Sequence, residues 1–392
     1  MKKILFISHS WKMAGAEQYL FEVMCALKNS FEVHLLCPGR GRLTEKAQRE
    51  KIPTHVIPYF WFLTAPSFFW TQLVFLPANL ITFFWIIRFM KKFKFDLVYT
   101  NTCVAVSGPL AAKVCNIPHI WNIQEAFGKG SYEYGFPFLS KKNIAAMILK
   151  LSHAVIVPSK FLRECFLKDT WEKISVVYHG IDSSPSVLSD EAKMQMKRHY
   201  EVGEKDMVLT VAGSLQERKG QWYAIQAMPS ILKKYPHAKL LLAGEFARGT
   251  SDYKMKIMSE IKKHRLESVV KFLGYLSEPS SVYQITDILL VPSLYEPMGR
   301  TWVEASFYKV PSIASRVGGI PEVMEHGLVG LLVPPGDSKA ITDAVLALAE
   351  DPQKLKTLGE KACQRIPQHF VMADTIAKIK GILDQTLQRD AR

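Results

Sequence analysis

The most informative part of the sequence is a segment in the C-terminal half that contains two carboxylates. It runs from Pro292 to Ala305 and places Glu296 and Glu304 eight residues apart. In a helix this separation is about 12 Å, which suits a long, extended ligand rather than two groups acting on one bond. Glu296 would reach hydroxyl groups on one side of a diphosphate, and Glu304 would reach hydroxyl groups on the other. The alternative is that both are solvated surface carboxylates.

The same segment predicts a helix N-terminus beside these carboxylates. It follows an apolar strand, and Pro297 stands where the first turn of a helix tolerates proline. The backbone amides of Met298, Gly299 and Arg300 would then lie at the start of the helix, followed by Thr301. Such an end attracts phosphate through unpaired N–H groups and the positive end of the helix dipole.

Glycines and cations after an earlier strand indicate the same kind of ligand. The predicted strand Val208–Ala212 is followed by Gly213-Ser214, and Arg218-Lys219-Gly220 precedes the next helix. Glycine lets a backbone approach a ligand closely, and two cations beside a helix start can stabilise a leaving diphosphate without a metal. An ordinary basic turn is the alternative. The segment Gly318-Gly319-Ile320-Pro321-Glu322 forms a further strand-to-helix turn, or else an ordinary loop with a charge at the helix N-terminus.

The elements that must hold these residues are short apolar runs that alternate with helical patterns. This alternation is typical of βαβ units and a parallel sheet. The first series of predicted strands comprises Ile4–Ser8, Val33–Cys37, Thr54–Ile57, Leu97–Asn101, His119–Ile123, Ala154–Val157 and Ser175–Tyr178. The second series comprises Val208–Ala212, Lys239–Ala243, Val269–Phe272, Ile288–Val291, Ser312–Ala314 and Gly330–Val333.

A turn-rich stretch, Ser183–Ser186, separates the two series and predicts a linker. We therefore expect two Rossmann-like, doubly wound α/β domains, 1–183 and 187–370. The remaining segment, 371–392, is predicted to form one amphipathic helix, since its apolar residues follow helical spacing at Ile376, Ile379, Leu383 and Leu387.

Length and composition agree with two folded domains. The chain has 392 residues, of which 48% are hydrophobic, and its formal net charge of +14 suits an anionic partner such as nucleic acid, a phosphorylated ligand or an acidic membrane. The six cysteines include no C-x-x-C pair, which argues against a zinc ribbon or disulfide scaffold and favours a reducing compartment. The apolar run Ile4–Ile7 is too short for a secretory signal, so we expect a cytoplasmic protein.

The first domain combines most of the positive charge with an uncharged aromatic stretch. Residues 1–182 carry a net charge of +10, and the rest of the chain carries +4. No side chain from Val56 to Ile87 is charged at neutral pH. The aromatic residues of this stretch include Phe60, Trp61, Phe62, Phe68, Phe69, Trp70, Phe83, Phe84 and Trp85.

Three interpretations of this stretch differ in where its apolar side chains go. A transmembrane span is disfavoured because Pro58, Pro66 and Pro77 interrupt it, and the remaining piece Ala78–Met90 would be only about 20 Å long as a helix, against about 30 Å of hydrocarbon. Spanning would also place strands of one sheet on opposite sides of a bilayer. A buried helix on the sheet is the second interpretation. The third is an interfacial surface over Phe60–Lys94 that contacts an anionic membrane, with head groups held by Arg88, Lys91, Lys92 and Lys94.

In order and spacing, the motifs together resemble glycosyltransferase family four, the retaining enzymes of GT-B fold. The C-terminal set consists of Gly213, Arg218-Lys219-Gly220, Gly244-Glu245, Glu296 to Glu304, and Gly318-Gly319-Ile320-Pro321-Glu322. In the first domain, Ala14-Gly15-Ala16-Glu17 resembles the family's Gly-Gly-x-Glu turn. His179-Gly180-Ile181-Asp182 stands where Asn-Gly-Ile-Asp is common. The resemblance covers nearly the whole chain.

The resemblance implies two domains facing each other across a cleft, with the C-terminal helix returning to the N-terminal domain. The nucleotide-sugar donor would bind mainly to the second domain and the acceptor to the first. Arg218 and Lys219 would hold the diphosphate, Glu296 the hydroxyls of the donor sugar, and Glu304 the ribose. Gly15 would let the first domain's loop approach the donor phosphates. The other donor-binding candidates are Gly213, Ser214, Gly244, Glu245, Met298, Gly299, Arg300 and Thr301.

The implied reaction moves a hexose from a UDP- or GDP-linked sugar to a saccharide or lipid-linked acceptor, with retention of anomeric configuration. The departing phosphate would help to take the acceptor's proton, so the protein mainly positions and neutralises charge, and neither a metal nor another cofactor is expected. The product would belong to a cell-surface polysaccharide or glycolipid. The basic, aromatic first domain then suggests a peripheral position at the inner face of the plasma membrane.

The sequence departs from the family pattern in three places. Ala14 replaces the first glycine of the turn, and Ser214 stands where many relatives have an arginine. Gln124 stands where many members have a histidine near the donor sugar, and an amide can donate a hydrogen bond but cannot titrate. Gln124 remains a catalytic candidate, and Glu125 and Glu17 are candidates on the acceptor side.

Other functions remain to be weighed against sugar transfer. A GT-B nucleotide-sugar epimerase or hydrolase, or a non-catalytic nucleotide-sugar-binding subunit, would share the same motifs. A Rossmann oxidoreductase is disfavoured because the turn His9–Glu17 lacks G-x-G-x-x-G. Nucleic-acid binding is disfavoured because no helix-turn-helix, zinc or RNP-like pattern is present.

Overall fold

A computed structural model describes residues 1–64, 69–128, 133–136, 138–181, 187–247, 249–276, 278 and 280–389, with the backbone alone for 69–72. Asp182, the predicted linker Ser183–Ser186, Phe68 and the side chains of Phe69 and Trp70 lie outside this description. The chain divides into two compact units, one of Met1–His179 with Ala373–Arg392 and the other of Gly180–Met372.

The first unit is built on a seven-stranded sheet in which every pair of neighbours is parallel. Its strands are β1 (Lys3–Ile7), β2 (Glu32–Cys37), β3 (Thr54–Val56), β4 (Leu97–Asn101), β5 (His119–Asn122), β6 (Ala154–Val157) and β7 (Ile174–Val176). The spatial order is β3-β2-β1-β4-β5-β6-β7. The reversal of strand order beside β1 is the switch point at which doubly wound sheets commonly bind ligands.

Helices connect these strands. They are α1 (Gly15–Leu27), α2 (Arg42–Arg49), α3 (Phe69–Phe93), α4 (Ser107–Val114), α5 (Lys141–Lys150) and α6 (Lys160–Arg163). Because helices cover a parallel sheet on both faces, its central strands are nearly continuous apolar runs. In β1, for example, Ile4, Leu5, Phe6 and Ile7 are all buried.

The second unit repeats the plan with a six-stranded parallel sheet. Its strands are β8 (Val208–Ala212), β9 (Lys239–Ala243), β10 (Val270–Gly274), β11 (Ile288–Val291), β12 (Ser312–Ser315) and β13 (Gly330–Val333), in the order β10-β9-β8-β11-β12-β13. Its helices are α7 (Asp190–His199), α8 (Gln221–Lys234), α9 (Ser251–Lys263), α10 (Ser280–Tyr283), α11 (Arg300–Ser306), α12 (Ser338–Ala349) and α13 (Pro352–His369). The prediction of two Rossmann-like, doubly wound domains is confirmed.

The C-terminal helix, α14 (Met372–Arg389), packs on the first unit. Ile379 and Leu383 are fully buried, and the Thr375 hydroxyl donates to the carbonyl of Tyr178 at 2.9 Å. The spacing of the apolar residues therefore placed the buried face of this helix correctly.

Helix α3 differs from two expectations: that proline would interrupt it, and that it would be buried on the sheet. Pro77 does not end the helix, which continues from Phe69 to Phe93. Pro77 and Leu73, whose carbonyl the proline leaves without its helical donor, are both exposed, so that carbonyl lies on the outward side. Burial as a core helix is also wrong for the outer face, because Leu80, Ile81 and Phe84 are more than half exposed.

Candidate functional site

The predicted ligand-binding segments of the second unit all follow the carboxyl ends of neighbouring strands. Gly213 follows β8, Gly244 follows β9, Pro292–Glu296 follows β11 and Gly318-Gly319 comes after β12. Since these strands are parallel and adjacent in the order β9-β8-β11-β12, the segments meet at one edge of the sheet. Topology therefore gathers residues that lie up to about a hundred positions apart in the chain.

An ion pair between Lys219 and Glu296 lies at the centre of this edge. The Lys219 Nζ is 2.5 Å from Glu296 Oε2, and the two side chains are only 14% and 8% exposed. The Ser293 hydroxyl donates to the same carboxylate oxygen at 3.3 Å. The aliphatic part of Lys219 runs beside Gly213, where a Cβ atom would lie 3.7 Å from Lys219 Cε. A charged group is thus held in a poorly hydrated setting, where electrostatic interactions are strong.

Burial and the neighbouring cations act in opposite directions on this pair. Burial lowers the pKa of Lys219, because the ammonium loses hydration, although Glu296 and Glu304 oppose the shift. Burial alone would raise the pKa of Glu296, but Lys219 and Arg218 favour the carboxylate and lower it overall. Glu296 is therefore an ionised hydrogen-bond acceptor at neutral pH and not a proton donor.

Backbone contacts fix the position of Glu296 and its neighbours. The amide of Leu294 donates to the carbonyl of Arg218 at 2.8 Å, which ties the segment after β11 to the cationic turn before α8. The amide of Gly319 donates to the carbonyl of Glu296 at 3.2 Å. Gly318 has a φ of +57°, and a Cβ atom there would lie 1.8 Å from the same carbonyl oxygen. Only glycine fits this close approach.

Glu304 is held on the first turns of α11 by two partners. The Tyr283 hydroxyl donates to Glu304 Oε2 at 2.9 Å, and Arg300 Nε lies 3.3 Å from Oε1. Burial, followed by the Glu304 charge, raises the pKa of Tyr283 well above its ordinary value, so the phenol remains a hydrogen-bond donor. Both carboxylate oxygens are therefore oriented by the protein.

The start of α11 corrects one prediction. The helix begins at Arg300, with Gly299 as its N-cap residue at a φ of +85°, so Pro297 lies before the first turn and not within it. The left-handed conformation of Gly299 redirects the chain immediately before the helix, and proline spacing alone does not reveal this turn. Met298 is buried and accepts a hydrogen bond from Trp302 Nε1 through its carbonyl. Thr301 is partly exposed on the first turn.

The remaining donor-side candidates contribute mainly through their backbones. Ser214 accepts a hydrogen bond from Gln221 Nε2 at its carbonyl and from Gln216 Nε2 at its hydroxyl. The carbonyl of Glu245 accepts from the amide of Leu215 at 2.8 Å, and its side chain is exposed. A Cβ atom on Gly244 would lie 2.1 Å from the carbonyl of Gly213, so the two loops touch there.

In the first unit, the Ala14–Glu17 turn begins α1. Gly15 is exposed and a Cβ atom there would meet nothing within 4 Å. Glu17 is buried, accepting from the amide of Ala14 at 3.1 Å and lying 3.1 Å from His9 Nε2. Glu17 therefore caps the start of α1 and orients His9. This histidine follows β1 after Ser8, and the sequence did not identify it as a site residue.

Gln124 and Glu125 lie shortly after the end of β5, with Ile123 between. Gln124 is 8% exposed, and its Nε2 has no hydrogen-bond partner among the residues that the structure describes. Glu125 Oε2 accepts from the amide of Cys103 at 3.2 Å. The buried amides Asn101 and Asn122 bond to each other at the ends of β4 and β5. Their place at the ends of two strands is the signal in the sequence that could have identified them.

Tyr283 and Ser293 were also missed among the residues that hold the carboxylates. Tyr283 ends a short helix and Ser293 sits in the segment already singled out, yet neither residue type identifies a partner by itself. Their roles depend on the fold, which brings Tyr283 to Glu304 and folds Ser293 back on Glu296.

Comparison with known proteins matches both units to glycosyltransferase families. Residues 193–365 match the family described as Glycosyl transferases group 1. Residues 13–184 match the family described as Glycosyltransferase Family 4. The two matches together cover most of the chain.

Two relatives with different names are similar to this chain. N-acetyl-alpha-D-glucosaminyl L-malate synthase from Bacillus anthracis is 26% identical over 63% of this chain, and this chain spans 60% of that protein's length. UDP-Gal:alpha-D-GlcNAc-diphosphoundecaprenol alpha-1,3-galactosyltransferase from Escherichia coli is 21% identical, with 94% of this chain and 93% of the relative aligned.

A solved structure shares the fold over almost the entire chain. Anabaena Alr3699/HepE, determined in complex with UDP-glucose, superposes with a TM-score of 0.84 over 98% of this chain and 100% of that chain, at 23% identity. This likeness concerns the fold. On the two family matches, which together extend from residue 13 to residue 365 with one short gap, the chain belongs to the group 1, family 4 glycosyltransferases.

Proposed function

We propose that this protein transfers a hexose from a UDP- or GDP-linked sugar to a saccharide or lipid-linked acceptor, with retention of anomeric configuration. The observation that carries the proposal is the buried pair of Lys219 and Glu296, beside Arg218 and Gly213 at the carboxyl edge of the second sheet. The pair offers a cation for a diphosphate and an ionised acceptor for sugar hydroxyls within one small volume.

The roles follow from the charges. Lys219 and Arg218 neutralise the departing diphosphate, and they can do so in place of a metal. Glu296 accepts hydrogen bonds from the donor sugar, because its lowered pKa keeps it ionised. Glu304, oriented by Tyr283 and Arg300, accepts hydrogen bonds from the ribose. The complex of Anabaena HepE with UDP-glucose supports a nucleotide-sugar donor for a protein of this fold.

The proposed chemistry needs no protein acid. Departure of the diphosphate leaves an oxocarbenium-like sugar, and the phosphate oxygen on the same face takes the proton of the attacking acceptor hydroxyl. Bond formation on the face that the leaving group vacates retains the configuration. The protein contributes position and charge stabilisation. In this proposal, Gln124 would donate a hydrogen bond through Nε2 to the donor sugar. Glu125 would lie on the acceptor side, and Gly15 would let its loop approach the donor phosphates.

The acceptor we infer is a lipid-linked or free saccharide used for a cell-surface polysaccharide or glycolipid. The Escherichia coli relative acts, by its name, on a diphosphoundecaprenol-linked sugar, which supports a membrane-borne acceptor. A protein that meets such an acceptor would work from the cytoplasm at the inner face of the plasma membrane.

Gln124 favours a second candidate, a nucleotide-sugar-binding protein without transferase activity, because the family's histidine is absent at this position. A nucleotide-sugar epimerase or hydrolase is a related alternative. Incubation with donor, first alone and then with acceptors, separates the three activities. Donor consumption without acceptor indicates the epimerase or hydrolase, and donor binding without turnover under any acceptor indicates the binding protein.

The direct test is Glu296→Ala, with Glu350→Ala as a matched control on an exposed carboxylate of the same unit. The donor is identified first by thermal shift with UDP, GDP and their sugars, where a ligand at a hundredfold excess over its Kd stabilises by about 2.7 kcal/mol. We expect Glu296→Ala to fold, as its thermal unfolding would show, and to lose sugar transfer. Glu350→Ala should fold and keep sugar transfer. Full transfer by Glu296→Ala would disprove the assignment.

A further inference from the structure

The outer face of α3 is an extensive exposed apolar surface of the first unit. Eight apolar side chains between Leu73 and Trp85 are 36% to 72% exposed. They are Leu73, Val74, Phe75, Leu76, Leu80, Ile81, Phe84 and Trp85. Exposed apolar patches on this scale mark an interaction surface, because soluble surfaces scatter such residues singly.

The opposite face of the same helix belongs to the core. Ile86 and Met90 are fully buried in a cluster with Leu5 and Val98 of the sheet, and Thr82 is 4% exposed. Only one side of α3 is therefore available. By length and composition alone, the helix could cross a bilayer. Crossing would separate its buried face from β1 and β4 and expose that face to lipid.

Neighbouring elements extend the exposed surface. Phe60 stacks on Phe75 with ring centroids 4.1 Å apart, and Trp61 beside it is 38% exposed. Helix α4 packs along α3 and contributes Leu110 and Val114, which are 41% and 57% exposed. The apolar surface is thus two helices wide and carries aromatic residues, which favour the boundary between hydrocarbon and water.

Basic residues continue this face toward the C-terminal end of α3. Arg88, Lys91 and Lys92 follow at helical spacing on the exposed side, and Lys94 comes directly after the helix. No carboxylate of the described residues forms an ion pair with these four cations. From Trp85 to Lys92 the helix rises by about 10 Å, comparable to the depth of an interfacial layer.

We propose that the outer face of α3 docks on an anionic membrane surface, tilted so that the N-terminal half enters the interface and the basic end binds lipid head groups. Anionic lipid complements both parts of this face, because it offers hydrocarbon to the apolar side chains and phosphate to the cations. The same face of a second copy would match only the apolar part, because α3 carries cations and no carboxylate among its residues. The surface requires neither a donor nor an acceptor sugar, so it stands independently of the proposed activity.

The experiment measures binding of the full chain to vesicles in the absence of any sugar nucleotide. Vesicles of phosphatidylcholine are compared with vesicles that also contain phosphatidylglycerol, by flotation at physiological salt. The apolar variant carries Leu80→Gln, Ile81→Gln and Phe84→Gln, and the charge variant carries Arg88→Gln, Lys91→Gln and Lys92→Gln. These side chains are exposed, and thermal unfolding checks that both variants remain folded.

Matched controls come from exposed residues of the second unit. Met255→Gln with Met258→Gln on α9 replaces two exposed apolar side chains, and Lys354→Gln, Lys356→Gln and Lys361→Gln on α13 remove the same charge. We expect each α3 variant to lower the apparent partition constant for anionic vesicles by about tenfold or more, whereas the controls stay within about twofold. Brominated lipid should quench the fluorescence of the wild type more than that of Trp85→Phe.

Three results would overturn the proposal. The first is equal binding of anionic vesicles by the apolar variant and the wild type. The second is equal loss of binding in the α13 charge control, which would indicate a general attraction of a basic protein. The third is a wild-type dimer that does not float with vesicles and that the apolar variant converts to a monomer, which would identify a second copy as the occupant.

Discussion

The two Rossmann-like units share a plan but place their polar groups differently at the strand ends. In the second unit, the edge after β8, β11 and β12 holds charged side chains in contact, with Lys219 on Glu296 and Arg300 on Glu304. In the first unit, the ends of β4 and β5 hold the neutral amides Asn101, Asn122 and Gln124, and the nearby Glu125 accepts from a backbone amide. The net charge, by contrast, is larger in the first unit, since residues 1–182 carry +10 of the total of +14.

This contrast shows that the few cations placed at a ligand site and the net charge of a unit are separate properties. A diphosphate needs a few cations at defined positions, and the second unit supplies them in a buried setting where each is worth more than on the surface. The excess charge of the first unit instead includes an exposed cluster at the end of α3. Overall charge therefore reports a surface property of the first unit and says little about the ligand of the second.

The largest effect that would test this contrast is loss of the buried cation. Lys219→Met should lower transfer by about a thousandfold, or roughly 4 kcal/mol, because the departing diphosphate loses its nearest positive charge. The pKa of Glu296 should rise in this variant, since Lys219 is the largest of the influences that lower it. Steady-state transfer against pH measures both changes. Lys234→Met, which removes an exposed partner of Glu350, should change neither, and near-normal transfer by Lys219→Met would show that the buried charge is not needed.

The second prediction concerns the close approach that positions Glu296. Gly318→Ala places a Cβ atom against the Glu296 carbonyl at 1.8 Å, which forces the backbone to move. We expect the unfolding free energy of the second unit to fall by about 3 kcal/mol. Gly327→Ala is the control, because Gly327 also has a positive φ but meets nothing within 4 Å, and should cost about 1 kcal/mol. Equal losses in the two variants would mean that backbone conformation alone requires glycine at 318.

The third prediction tests, through the pH dependence of stability, whether the buried polar groups of the first unit are neutral. Burial lowers the pKa of His119 from 6.5 to about 3. Its Nδ1–H donates to the carbonyl of Leu151, and Nε2 accepts from the Thr100 hydroxyl. Below pH 6.5, His119 binds a proton in the unfolded chain but stays neutral in the folded unit. The free energy of unfolding therefore falls as pH falls, by about 2 kcal/mol at pH 5.

Urea unfolding between pH 7 and pH 5 measures this loss. His119→Gln should be less stable at pH 7, because it gives up part of the hydrogen bonding, but its stability should depend less steeply on pH. His55 adds to the same slope, since burial and His34 lower its pKa to about 4. An unchanged slope in His119→Gln would show that the histidine is protonated in the folded protein.

The smallest expected effect concerns the orientation of Glu304. Tyr283→Phe removes one hydrogen bond to the carboxylate and should cost about 1 kcal/mol of donor binding. Because the proposed ribose contact is equal in ground and transition states, the donor KM should rise severalfold while kcat is retained. Tyr308→Phe, on a neighbouring ring 6.2 Å away, is the control. A fall in kcat with unchanged KM would place Tyr283 closer to the reaction than we propose.

Much of the architecture could be predicted from local patterns because strands of a buried parallel sheet are continuous apolar runs. The predicted strands Leu97–Asn101, Ala154–Val157, Val208–Ala212 and Lys239–Ala243 have the observed boundaries. Ile174–Val176 begins one residue before its predicted position. The error there is small, since the ends of short strands depend on pairing with a neighbour.

Local patterns were less reliable where exposure or a single turn decided the outcome. Pro77 was expected to interrupt its helix, but the helix tolerates it on the outward side. Pro297 was expected in the first turn of a helix that instead begins at Arg300, after the left-handed Gly299. Both cases depend on the surroundings of one residue, which helical periodicity does not record.

By itself, the sequence determined the succession of strands and helices, the apolar faces, the ordered motifs around Lys219, Glu296 and Glu304, and the uncharged stretch before Arg88. Only the tertiary structure decided which of these groups touch. Parallel pairing of β8 with β11 brings Lys219 to Glu296 across 77 positions, and packing of Ile86 and Met90 leaves the other face of α3 exposed. The physical reason is that burial and ion pairing are properties of contacts between distant segments, whereas propensity and periodicity act along the chain.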